Sequence, residues 1–292
     1  MDIIIENEYL KVTLTTNGAQ IKSVIRKCDG VEHIWQADPA VWGYHTPILF
    51  PYAGKIKDGK ITIDGKDYDG SKQHGFARTM EHSPVFCGET SAVLELTETE
   101  ATMAIWPYHF RLLSTFTLEG DTLHHTLTVE NHDEESFLFG IGYHPGFALP
   151  FDGNHTYADY ELRFDSVESP ICLKTEGGLI SDKHYYLGKN IRAIDVDEHL
   201  FDNDSHCMTG LSSKTLGLYE KDTGRGVVCS ISSFPYVLIW SKPGVPQFIC
   251  IEPWNSLPSP VDGSTNWEEK PAAACLNPGN DWSTTLSMSF VR

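Results

Sequence analysis

Phe110-Arg-Leu-Leu-Ser-Thr-Phe-Thr-Leu118, followed by Glu119-Gly120-Asp121 and then Thr122 to Glu130, decides the fold class. Leu112, Phe116 and Leu118 alternate onto one face of the first run, and Leu123, Leu127 and Val129 do the same in the second. A short turn containing glycine between them predicts an antiparallel hairpin with one buried side. His125 falls on that buried face, where a hydrogen-bonded core imidazole is the expected role.

Working outward, the same two-residue rhythm marks Leu10 to Thr15, Gln20 to Arg26, Ile61 to Ile63 before Asp64-Gly65, Ala92 to Thr97, Leu216 to Tyr219 and Val227 to Ser232. It returns at Tyr236 to Trp240, Phe248 to Ile251 and Thr284 to Phe290. Sustained helical periodicity is absent. The chain is therefore all-β, and so many short strands favour a large antiparallel β-sandwich over a barrel. Two zones break the rhythm. Pro150 to Lys174 and on to Asn203 shows few clean strands, and Asn255 to Asp281, rich in Pro, Ser, Gly and Asn, predicts a long surface excursion. Neither has the composition of a linker, so residues 1–292 are expected to form a single domain.

The 292 residues are 40% hydrophobic, 21% charged and 11% aromatic, which excludes disorder and fibrous folds. With 22 basic residues against 40 acidic ones the net charge is −18, and no basic run is dense enough to bind nucleic acid or an anionic membrane. The start, Met1-Asp2-Ile-Ile-Ile-Glu6, lacks a basic region and a long apolar run, and no segment approaches a membrane helix. A soluble, cytoplasmic protein is expected. Seven scattered cysteines without a C-x-x-C pair indicate reduced thiols, neither a disulfide framework nor a zinc knuckle.

Four segments set ionisable groups beside turn-forming and aromatic residues, as binding pockets on strand ends do. In Trp42 to Gly59, the run Pro47-Ile-Leu-Phe-Pro51-Tyr52 ends at Gly54-Lys55, placing a cation beyond an apolar wall unless Lys55 is merely an exposed lysine. In Gln73-His74-Gly75-Phe76-Ala77-Arg78 the glycine permits close backbone approach. Gly140-Ile-Gly-Tyr-His144-Pro145-Gly-Phe147 puts an imidazole ahead of a proline that forces extended backbone. In Cys250-Ile-Glu252-Pro-Trp254 a carboxylate closes an apolar strand, where burial is costly unless the acid is paired or functional. This set suits acid/base work on a polyhydroxylated ligand, with aromatic faces packing on its C–H side. A nucleophile elbow, a phosphate loop, a dinucleotide fingerprint and H-E-x-x-H metal spacing are all missing.

These signatures, P-I-L-F-P, H-G-F-A-R, H-P-x-F and E-P-W in that order between Pro47 and Trp254, resemble the aldose 1-epimerase (galactose mutarotase-like) family, especially its bacterial branch. The resemblance implies that family's supersandwich, with a sugar site in a cleft on one concave face. It implies Glu252 as general base, His144 as general acid and His74 as a second, hydrogen-bonding imidazole, with base and acid facing one another across the substrate. Trp254 would pack on the sugar, and neither metal nor organic cofactor is implied. Where many relatives carry G-R, this chain has Gly54-Lys55, which keeps the charge but loses the planar fork. Asp204 lies where the branch often has an aspartate, and would either hold a sugar hydroxyl or cap its turn. Arg78 would either bind substrate or lie beneath His74, paired with a carboxylate.

The leading expectation is interconversion of the α and β anomers of a free aldohexose. The alternatives are a hexose-6-phosphate 1-epimerase, which needs more cations at the cleft, and a non-catalytic carbohydrate-binding or sensing protein that the change at Lys55 would suit.

Overall fold

The deciding hairpin forms as Phe110–Glu119 paired with Thr122–Asn131, with Glu119 opposite Thr122 and Gly120-Asp121 as the turn. A computed structural model describes residues 1–292. Burial alternates along both strands, and His125 sits inside, its ring stacked on Phe116 at 4.2 Å between centroids. The hairpin is the middle of a nine-stranded sheet running from Ile191–Asp195 at one edge to Ser83–Cys87 at the other.

A second sheet of eight strands carries, in order, Leu179–Tyr186, Ile171–Glu176, His206–Thr209, Tyr236–Trp240, Phe248–Trp254, Gly142–Tyr143 and Ile48–Leu49, with Gly146–Ala148 paired to Phe248–Trp254 off this path. Every strand pair is antiparallel. Buried side chains from both sheets merge into one core with those of a four-stranded amino-terminal sheet, Asp2–Glu32. Tyr143 fastens the second sheet to the first. Its hydroxyl accepts from Leu127 N–H at 3.2 Å and has the carbonyls of His125 and Thr284 as acceptors, each at 2.8 Å. Fully buried, that phenol holds the strand leading to His144 at a fixed height over the core. No helix is long and apolar enough to cross a membrane.

Both zones that lacked rhythm need correction. Between 150 and 203 the chain forms four strands, Tyr160–Glu168, Ile171–Glu176, Leu179–Tyr186 and Ile191–Asp195. Leu179–Tyr186 buries none of its residues, so it never needed an apolar face and showed no alternation. Asn255 to Asp281 is not wholly a surface excursion. Ser256, Leu257, Ser259, Trp267 and Leu276 are buried, and Ala274–Leu276 pairs with Phe137–Phe139.

Candidate active site

Strand register builds the centre. Gly142 lies opposite Trp254 and Gly146 opposite Cys250, so His144, midway between, falls opposite Glu252 although 108 positions separate them in the sequence. Pro145 interrupts the ladder there, freeing the loop to turn the imidazole inward. His144 Nε2 stands 3.3 Å from Glu252 Oε2. The pair sits side by side on one sheet rather than on facing walls, which corrects the expected arrangement.

Aromatic rings fix the imidazole. His144 stacks on Trp42 at 5.0 Å and meets the edges of Trp240 and His74 at 5.8 and 5.5 Å. Its Nδ1 is buried without a partner, and its ion-pair partner is Glu252. His74 is held differently. Its backbone N–H donates to the Gly54 carbonyl at 2.8 Å, and its Nδ1 accepts from Gly54 N–H at 3.0 Å. An accepting Nδ1 places the ring proton of the neutral imidazole on Nε2, making that atom a donor. The reciprocal clasp needs a left-handed corner, with φ +67° at His74 and +70° at Gly75. A Cβ on Gly75 would lie 2.2 Å from the Phe50 carbonyl oxygen, so only glycine fits.

Burial dominates the charges. Glu252 is 2% exposed, and its carboxyl is pushed well above the usual range, first by loss of water and then by the neighbouring charge of Asp204. Burial, with Arg78 adding to it, pushes His144 down to about 3, and His74 is lowered for the same reason with His144 and Arg78 contributing. Burial thus favours the uncharged form of each group, and a single proton shared by the pair leaves one acid beside one base whichever of the two carries it. The Cys250 sulfur comes within 4.8 Å of the donor atoms of both, the spacing of a three-ligand metal set. Its thiol is raised well above the ordinary value by burial and by Glu252, so the protonated, poorly ligating form is favoured.

The cavity above the pair has a volume of about 470 Å³, inside the ~300–1,000 Å³ range of small-molecule pockets. His74, His144, Glu252, Lys55, Arg78, Asp204 and Trp254 all line it, so the sequence-derived set converges on one place. Trp254 crosses His74 edge to face at 5.6 Å and anchors its indole N–H on the Tyr143 carbonyl at 3.2 Å. Asp204 both lines the cavity and makes its own turn, at φ +76°. Lys55 Nζ donates to the Gly177 carbonyl at 3.0 Å, so this lysine clasps the turn of the 171–186 hairpin at the cavity wall. Arg78 has no carboxylate partner. Its guanidinium lies over the Tyr44 ring, 4.8 Å from the centroid, and its Nε is buried unpaired, which corrects the expected ion pair beneath His74. Sequence reasoning missed Gln73, Thr175, Ser205 and Trp240 in the lining. Only Trp240, ending an apolar strand, carried a signal.

The chain as a whole is similar to known proteins. The family model described as aldose 1-epimerase matches residues 1–289. Protein LacX (chromosomal) of Lactococcus lactis subsp. lactis is 31% identical over 287 residues, 95% of each chain. A galactose mutarotase related enzyme from Lactobacillus acidophilus superposes with a TM-score of 0.95 at 29% identity, covering 100% of this chain and 98% of that one. A galactose mutarotase-like protein from Lactobacillus casei gives 0.90 at 26%, covering 99% of both.

Proposed function

The chain belongs to the aldose 1-epimerase family, sugar-directed isomerases, and from that premise we propose that it interconverts the α and β anomers of a free aldohexose at the His144–Glu252 pair. The observation carrying this reading is the 3.3 Å contact between a buried imidazole and a buried carboxyl that both line the cavity. Ring opening needs a proton removed from the C1 hydroxyl and one delivered to the ring oxygen. Those two oxygens are bonded to the same carbon, so an adjacent acid and base serve them better than groups on facing walls.

In the forward step Glu252 takes the C1 hydroxyl proton while His144 protonates the ring oxygen, and the C1–O5 bond breaks to the open aldehyde. Rotation about C1–C2 presents the other carbonyl face. Reclosure returns the protons with the duties exchanged, so the pair ends as it began. His74 Nε2–H donates to a sugar oxygen, Asp204 accepts from a hydroxyl, and the Trp42 and Trp254 rings cover C–H surface. Every group used belongs to the protein.

A hexose 6-phosphate is the second reading, favoured by Lys55 and the carboxylate-free Arg78 in the lining. Polarimetry or NMR on freshly dissolved α-galactose, α-glucose and their 6-phosphates separates the readings. Faster equilibration of the free sugars that vanishes in Glu252→Gln supports the proposal. Acceleration confined to the phosphates supports the second reading, and sugar binding without acceleration refutes both.

A further inference from the structure

Arg78 walls two cavities. One is the sugar cleft, and the other, about 400 Å³ and more open, is bordered by Asn17, Gln20, Lys22 and Tyr44 as well. No carboxylate lines this outer cavity, in a chain with nearly two acids for every base. Lys22 is already matched, its Nζ 2.7 Å from Asp2 Oδ2. Arg78 is not. Arg26, Arg111, Arg163 and Arg225 each pair with a carboxylate and Arg192 and Arg292 are exposed, whereas the half-buried Arg78 has only the Tyr44 ring and an orphaned Nε. Neutral donors stand beside it. Gln20 accepts His45 and Thr46 N–H through its oxygen at 2.9 and 3.2 Å, which leaves its amide NH₂ to donate, and the Asn17 side chain is exposed.

A half-buried guanidinium without a counter-ion, in a cavity lined by two amides and by no carboxylate, matches the planar recognition of an oxyanion. We propose that the outer cavity is a binding site for a small phosphate-type oxyanion held against Arg78, separate from the sugar cleft. The site would accept either the free ion or the phosphate end of a small ester. This rests on the free-aldohexose reading, since the second reading engages Arg78 with the substrate's own phosphate, and its test reads binding rather than turnover.

Titration of inorganic phosphate into the full-length protein, followed by backbone NMR shifts, tests it. Saturable shifts centred on Asn17, Tyr44 and Thr79 are expected. Asn17→Trp, which fills the exposed cavity, and the near-isosteric Asn17→Asp, which adds a repelling charge, should each weaken binding at least ~10-fold. Saturating galactose should leave phosphate bound. Glycerol phosphate in place of phosphate distinguishes the sources, tighter binding of the ester marking it as the ligand. The proposal is overturned by shifts that do not saturate, or by binding that galactose displaces while both Asn17 variants leave it unchanged, since that places the anion in the sugar cleft.

Discussion

Glu252 and His144 are buried where an ionised group loses most of its hydration, and their mutual contact offsets part of that loss. Replacing either by a shape-conserving neutral residue, Glu252→Gln or His144→Asn, should lower turnover by ~10²–10⁴-fold in anomer-exchange NMR while the melting temperature stays close to wild type. The pH profile follows from the shared proton. A second proton removes the base, and because burial lowers His144 to about 3 this acid limb should lie below the ordinary imidazole value of 6.5. Loss of the only proton removes the acid, and because Glu252 is raised this alkaline limb should lie above the ordinary 4.5. Turnover corrected for the solvent reaction should thus show both limbs displaced in those directions, each belonging to the pair. An acid limb centred near 6.5 would show an imidazole titrating in water. The residues of this centre were legible because each broke a β pattern with chemistry a core does not want: an acid closing Cys250-Ile251, an imidazole before Pro145. The clasp of Lys55 on Gly177 was not, since it joins a turn and a lysine 122 positions apart.

At the level of elements, the site is a matter of register. The ladder that sets Gly142 against Trp254 and Gly146 against Cys250 is what brings His144 to Glu252, and the sequence shows strands without showing which strands are neighbours. Edge strands hid for another reason. With no buried face, Leu179–Tyr186 had no periodicity to read, yet its turn supplies part of the cavity wall. Two glycines beside the site make testable demands. Gly75→Ala forces a methyl onto the Phe50 carbonyl at positive φ, and should cost roughly 1–3 kcal/mol in denaturant unfolding and displace His74. On Gly142 a Cβ would meet Trp254 Cδ1 at 2.7 Å, so Gly142→Ala should shift the indole and raise KM for sugar more than it lowers kcat. An unchanged KM would mean that Trp254 does not touch the substrate.

For the whole molecule, the all-β class and antiparallel layering were legible because alternation repeats from Leu10 to Phe290, and both large sheets bury one side of it in a common core. That core contains ionisable groups that catalysis does not use. Burial lowers His33 and His82 to about 4 and His125 to about 3, and His33 has no hydrogen bond from either ring nitrogen. The unfolded chain protonates these rings near 6.5 while the native one resists, so their contribution to stability is complete above that pH and is lost as pH falls toward 4. At pH 5 each should cost about 2 kcal/mol, a loss that His125→Gln should relieve in part when unfolding is compared at pH 5 and 7.5. On the proposed reading the fold holds two side chains distant in sequence as one acid/base unit. A double-mutant cycle on anomer exchange measures that unity most directly. The Glu252→Gln/His144→Asn double variant should turn over no more slowly than the worse single variant, whereas losses that multiply would mean that the two groups act independently and contradict the account.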